Sequence, residues 1–225
     1  MKPTGLMFCS MLLWLSLNAV TAVAATPAQN EVENLIKLAE QGDSGAQYHL
    51  GVMYYNGEGV EQDVEQAIAL FLKSAEKGDA RGQNSIGVMY ASGQFGSADD
   101  QQAAAWYLKA AEQGLAKAQN NLAILYASGR GVSQNDKQAL TWYLKAAKQG
   151  YPDAQFNLGN MYYNGNGVPK DDVQAYAWFS VARANGLNES KAALLDISGD
   201  LIPAQLDKAR EFAAQYIEHY PSKED

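Results

Sequence analysis

The sequence predicts an all-α solenoid of antiparallel helix pairs, and three observations carry that prediction. Gly42, Gly78, Gly114, Gly150 and Gly186 follow one another at intervals of 36 residues. Leu50, Ile86, Leu122, Leu158 and Leu194 keep the same frame, as do Tyr54, Tyr90, Tyr126 and Tyr162, and Ala67, Ala103, Ala139 and Ala175. Within each unit the apolar residues recur at helical spacing in two stretches, for example Leu50, Met53, Tyr54 and then Ala67, Leu70, Phe71, Ala75, so each unit reads as a helical hairpin. Four units occupy 42–77, 78–113, 114–149 and 150–185, and a degenerate fifth with a C-terminal cap occupies 186–225.

Residues 1–24 carry a basic Lys2, an apolar run from Leu6 to Val20 and the small-residue exit Ala22-Val23-Ala24, the three parts of a signal peptide. The run of 15 residues is shorter than the roughly 20 a helix needs to cross hydrocarbon, so cleavage is expected over retention as an anchor. The only cysteine, Cys9, falls inside this run, and the mature chain is expected to hold no thiol: no disulfide, no zinc-thiolate site and no cysteine nucleophile. These features predict a periplasmic or secreted protein of bacterial type.

Residues 25–41 form an expected N-terminal capping helix that covers the first unit. The first helix of each pair should start near Ser44 and its equivalents, with Asp43 and Asp79 as N-caps and Pro152 at the first helical position of the fourth unit. It should stop at Gly57, Gly93, Gly129 and Gly165, where glycine closes the helix in the left-handed conformation. The second helix should open at Asp63, Asp99, Asn135 and Asp171, each followed three residues later by Gln66, Gln102, Gln138 or Gln174 in a variant of the capping box. Gly51, Gly87 and Gly159, with Ala123 in the third unit, lie mid-helix, where glycine costs about 1 kcal/mol relative to alanine. Close approach to Ala67, Ala103, Ala139 and Ala175 on the second helix is the expected compensation. Trp106, Trp142 and Trp178 share one position, filled by Leu70 in the first unit, and read as core and inter-repeat packing. The last helix should run from about Pro203 to His219 as the cap.

Ala154, Leu158-Gly159, Tyr162, Gly165-Asn166-Gly167-Val168, Asp171, Ala175, Trp178 and Phe179 resemble, in order, the pattern of the Sel1-like repeat family of tetratricopeptide-like solenoids. The resemblance covers residues 42–185 and implies a right-handed α-solenoid of antiparallel helix pairs that works by protein-protein or protein-peptide interaction. The second unit departs from the pattern: it reads Gly93-Gln94-Phe95-Gly96, so its turn must differ, and Phe95 is either an exposed binding anchor or, as favoured here, a packed loop residue.

Catalytic chemistry finds little support. His49 and His219 stand at opposite ends of the repeat array. Asp99-Asp100 and Asp171-Asp172 fall at helix starts, where carboxylates suit the exposed N–H groups. Ser44, Ser74, Ser92 and Ser128 have no histidine partner, and Gly129-Arg130-Gly131 is a repeat turn, not a nucleotide loop. No cofactor and no metal are expected. Without Lys2 the chain holds 25 acidic against 16 basic side chains, which disfavours nucleic acid and anionic membranes.

An interaction surface is expected on the side of the first helices opposite Leu50 and Tyr54. It would be lined by Tyr48, Val52 and Tyr55, then Arg81, Asn84 and Val88, then Lys117, Asn120 and Ile124, then Phe156, Asn160 and Tyr163. The aromatic residues would serve as anchors, and Asn84 and Asn120 could bond an extended peptide backbone. The expected role is therefore that of a monomeric adaptor, assembly factor or host-contact protein. Two other readings compete with it: an enzyme acting on cell wall or β-lactams, as the resemblance to cysteine-rich relatives suggests although their paired cysteines are missing, and a periplasmic inhibitor of an envelope enzyme or toxin.

Overall fold

A computed structural model describes residues 27–222, so the expected signal segment at 1–24, with Cys9, lies outside the described residues. The described residues form α1 (Pro27–Glu40), α2 (Ser44–Asn56), α3 (Val64–Glu76), α4 (Ala80–Ser92), α5 (Asp100–Glu112), α6 (Ala116–Ser128), α7 (Asp136–Ala147), α8 (Pro152–Asn164), α9 (Asp172–Ala184), α10 (Ser190–Asp200) and α11 (Pro203–His219), with no strand among them. The pairs α2/α3, α4/α5, α6/α7 and α8/α9 are the repeat hairpins, stacked into a helical solenoid. No described helix is long and apolar enough to cross a membrane.

Local chemistry fixes the hairpin ends. Asp43 accepts from Ala46 N at 2.7 Å and Asp79 from Arg81 N at 2.9 Å, while Pro152 opens α8. Gly57, Gly93, Gly129 and Gly165 close the first helices at φ of 75°, 78°, 69° and 74°. Asp63, Asp99, Asn135 and Asp171 each accept from the amide three residues on. The capping box is completed differently from the expected reciprocal pair. The N-cap amides of Asp63, Asp99, Asn135 and Asp171 donate, all at 2.9 Å, to the carbonyls of Tyr54, Tyr90, Tyr126 and Tyr162. The hairpin turn is thus bolted to the preceding helix at the repeat tyrosine.

The mid-helix glycines allow the close approach of the second helix, with its aromatic ring nearest to them. A methyl built on Gly87 would lie 2.6 Å from the Tyr107 ring, and one on Gly159 the same distance from Phe179. On Gly51 it would meet Phe71 at 2.9 Å, with the Ala67 carbonyl at 3.3 Å. In all three units the nearest atoms belong to the aromatic ring of the second helix, and in the first unit the expected Ala67 also approaches, through its carbonyl. In the second unit the positive φ moves one residue along, to Gly96, and Phe95 packs its ring 4.6 Å from that of Tyr90 while staying 39 % exposed.

Both ends are covered. Leu35, Ile36 and Ala39 of α1 pack on Leu50, Tyr54 and Leu70. At the other end α10 stacks on α9 as a first helix should, but α11 does not pair with α10 as a second helix would; it lies along α9. Tyr216 and Tyr220 place their rings 4.8 and 5.6 Å from Trp178, and the Tyr216 hydroxyl donates to Gln174 at 3.0 Å. The receiving stripe of α9 holds Ala177 and Val181, both fully buried, where the other second helices hold Thr141 and Lys145, Ala105 and Lys109, or Ala69 and Lys73, all exposed. One repeat has an apolar outer stripe, and α11 covers it.

Candidate interaction surface

The first helices share one face, and the twelve expected site residues fall on it into three groups, with Asn84 shared between the first two. Val52, Tyr55, Asn84, Val88 and Lys117 come together with Phe71, Ser85 and Met89 around a depression of about 240 Å³ spanning the first three units. Val88 and Ile124 occupy the same repeat position as Val52 and are 41 % and 37 % exposed, and Tyr55 is 39 % exposed. Three consecutive units therefore present a branched aliphatic side chain on one line, bordered by Tyr55, whose hydroxyl accepts from Gln94 at 3.1 Å.

A second group is engaged inside the fold. Asn84 and Asn120, expected to offer their amides to a peptide, are buried, and their oxygens accept from Asn121 at 3.0 Å and Asn157 at 3.1 Å of the next unit. Their first task is to join units. Tyr48 is half-buried against Phe71, with the Arg81 guanidinium 4.8 Å from its ring centre. Arg81 in turn holds Asp79 at 2.8 Å and reaches the His49 ring at 3.1 Å. Burial pushes the Asp79 carboxyl up, but the hydrogen bonds and charge of Arg81 outweigh it and leave the group below its usual range.

The third group lies at the far end. Phe156 packs its ring 5.3 Å from Phe179, and both Phe156 and Tyr163 border the cluster of Ala175, Phe179 and Ile197, the last contributed by α10. Tyr163 is also covered by the Lys170 ammonium at 4.9 Å. These two aromatics are thus half-buried, and only Asn160 continues the line beyond Ile124.

A ladder that the sequence reading missed holds the face in shape. Gln47, Gln83, Gln119 and Gln155 are buried and donate at 3.0, 3.3, 3.1 and 3.0 Å to the carbonyls of Ala39, Ala75, Ala111 and Ala147 on the helix before. The oxygens of the last three accept, each at 2.8 Å, from Gln113, Gln149 and Asn185. The recurrence of glutamine every 36 residues was the available signal. In the first unit Lys77 takes the place of that donor and bonds the Gly42 carbonyl instead, so Gln47 Oε1 is buried without a partner.

Charge is distributed unevenly over this architecture. The chain has a net charge of −8, yet the four first helices carry a single acid, Asp153, alongside Arg81 and Lys117. The remaining acids sit on second helices, turns and the two ends. Among the described residues there is also no group of three or more His, Cys, Asp or Glu side chains arranged to hold a metal ion.

The Sel1 repeat matches four times in succession, over residues 44–79, 80–115, 116–151 and 152–187. No curated protein matches the chain. Among solved structures, the chain is similar to a protective antigen present in uropathogenic Escherichia coli strains and displaying an SLR fold, at 41 % identity and a TM-score of 0.79, over 89 % of this chain and 43 % of that one. It thus spans less than half of that protein. A Sel1 repeat protein from Oxalobacter formigenes is 28 % identical with a TM-score of 0.72, over 85 % of this chain and 79 % of that one. An immunity protein from Pseudomonas aeruginosa, at 22 % identity and a TM-score of 0.51 over 87 % and 76 % of the two chains, shares the fold. With four contiguous repeats matched from residue 44 to residue 187, the chain belongs to the Sel1 repeat family.

Proposed function

We propose that this protein is an exported interaction module that binds a protein or peptide segment across its first-helix face, acting as an adaptor, assembly factor or host-contact protein outside the cytoplasm. The observation that carries the reading is the pair of exposed aliphatic side chains Val88 and Ile124, from consecutive units, with exposed Tyr55 and the half-buried Val52 of the first unit beside Val88 around one depression. Solenoid stability does not require them there, since each unit's core is built from the opposite side of the helix, at Leu50, Ile86, Leu122 and Leu158. Export rests on the pattern of residues 1–24, and is supported by the similarity to a protein described as a protective antigen, which a host must be able to meet.

The test is capture from envelope and secreted fractions by the immobilised chain, beside a variant carrying Val52→Ser, Val88→Ser and Ile124→Ser. A partner held by the first and lost by the folded variant is the expected result. Equal capture by both, or capture by neither, removes the reading. Export is tested separately by the N-terminal mass of the protein recovered from the envelope, expected to begin near Ala25.

A further inference from the structure

We propose that Asn166-Gly167 is a site of spontaneous deamidation, at which the folded protein slowly acquires an aspartate or isoaspartate, and with it a negative charge, where the fourth unit meets the third. The site lies on the turn between α8 and α9 and does not depend on the first-helix face.

Asparagine followed by glycine is open to this reaction because no side chain on the second residue hinders its amide. The glycine nitrogen gives up its proton and attacks Cγ of the asparagine, the bond from Cγ to Nδ2 breaks, and ammonia leaves behind a cyclic imide. Water then opens the imide. Addition at Cγ gives aspartate, and addition at the backbone carbonyl carbon gives isoaspartate, whose main chain runs through the former side chain. Amide and water become carboxylate and ammonium, and no other reactant is needed.

The chain contains four such pairs, Asn56-Gly57, Asn164-Gly165, Asn166-Gly167 and Asn185-Gly186, and the fold treats them differently. Gly57, Gly165 and Gly186 follow helix ends, and their amides donate to the carbonyls of Met53, Met161 and Arg183 at 2.8, 2.9 and 3.1 Å. Nδ2 of Asn56 also donates to Glu58 at 3.0 Å, and that of Asn185 to Gln155 and to the Tyr220 carbonyl at 2.8 and 2.9 Å. An amide held on a helix carbonyl keeps its proton and its direction. Asn166 is exposed, and neither its side chain nor the Gly167 amide is hydrogen-bonded to any described residue. Of the four pairs, this one alone leaves both the attacking nitrogen and the departing amide free.

The new charge falls at a junction between units. Asn166 holds the repeat position of Arg130, and Asp136 that of Asp100; Arg130 donates to both oxygens of Asp100 at 2.8 and 2.7 Å. The fourth turn approaches α7 as the third approaches α5, since a methyl on Gly167 would lie 2.7 Å from the Asp136 carbonyl and one on Gly131 would collide with that of Asp100. Deamidation therefore sets an acid beside Asp136 where the previous junction has an ion pair. Isoaspartate also lengthens the main chain next to Gly167, where the turn is packed against α7.

The experiment is peptide mapping by mass spectrometry of the purified full chain after incubation at neutral and mildly alkaline pH, both folded and in urea. In the folded chain Asn166 is expected to convert first, faster at the higher pH and with isoaspartate among the products, while Asn56, Asn164 and Asn185 lag. In urea the four pairs should converge. Conversion of Asn164 as fast as Asn166 in the folded chain, no conversion of Asn166, or an equal lead for Asn166 in urea overturns the site. The effect on the junction is read from Asn166→Asp and Asn166→Arg at low salt, where the unfolding temperature should fall by about 1–3 °C in the first and rise by a similar amount in the second. Absence of a fall in Asn166→Asp overturns that effect.

Discussion

The ring of Tyr107 lies over Gly87 so closely that a methyl group on the glycine would stand 2.6 Å from Cδ1. Glycine is tolerated mid-helix because the second helix of the hairpin closes down onto its bare backbone. Gly87→Leu should therefore destabilise the protein by about 2 kcal/mol or more, through overpacking that exceeds the gain in helix propensity. In the third unit the same position is Ala123, fully buried in the cluster that contains Tyr143. There Ala123→Gly should also destabilise, by about 1 kcal/mol, because the methyl is already accommodated. Urea unfolding monitored by helical circular dichroism checks both; stabilisation by Gly87→Leu would refute the packing argument.

The same rings confer a dependence on alkaline pH. Burial pushes the Tyr107 phenol up to about 12 and raises Tyr143 further, while Tyr162 and Tyr216 are also raised, chiefly by burial. In the unfolded chain these phenols ionise near pH 10. Between pH 10 and about 12 the folded protein holds the Tyr107 proton that the unfolded chain has lost, so stability is full below pH 10 and declines as pH rises through this window. The slope is bounded by about 1.4 kcal/mol per pH unit for each such tyrosine. Tyr107→Phe removes one titrating group and should move the alkaline unfolding midpoint upward, which equilibrium unfolding at stepped pH would reveal.

The glutamine ladder predicts an unusual stabilising substitution. Gln119 is bonded on both sides, to Ala111 and Gln149, so Gln119→Leu should cost about 0.5–1.5 kcal/mol for each bond lost, the Ala111 carbonyl retaining its backbone donor Gly114 N. Gln47 has only its donor side satisfied, because Lys77 stands where the later units have Gln113, Gln149 and Asn185. Lys77→Gln should complete the ladder and add about 0.5–1.5 kcal/mol. A loss of stability in Lys77→Gln, measured by thermal or urea unfolding, would show that the Lys77 bond to Gly42 matters more than the orphaned oxygen.

How far the sequence could be read follows from how local each feature is. Caps at Asp63 or Gly57 depend on a few neighbouring residues, so period, hairpins and helix ends were legible. The Gln47 series shares that period, but a glutamine on a helix reads as a surface residue until the distance to the previous unit's carbonyl is known. The same limit applied to Asn84 and Asn120. The row of first-helix positions followed from helical geometry, yet the covering of Phe156 and Tyr163 depended on where α10 lands. That the first helices are nearly free of acids was present in the sequence and emerged only once each helix had a face.

The position of α11 rests on one residue in particular. Val181 is fully buried in the stripe of α9 that Tyr216 and Tyr220 approach, and the equivalent residues Lys73, Lys109 and Lys145 are exposed. In the third unit the lysine arches over its tryptophan, with the Lys145 ammonium 3.9 Å from the Trp142 ring centre. Val181→Lys would give the fourth unit the same outer stripe: the new lysine can cover Trp178 as Lys145 covers Trp142, and it must either displace α11 or remain charged beneath it. The expected outcome is release of α11 with the four hairpins intact. It would be read as rapid hydrogen exchange confined to residues 203–219, faster proteolysis ahead of Pro203 and a change in Trp178 fluorescence. Unchanged protection of α11 in the variant would mean that the hydrogen bonds from Asn185 and Gln155 to the Tyr220 carbonyl, at 2.9 and 3.2 Å, hold the helix without the apolar stripe.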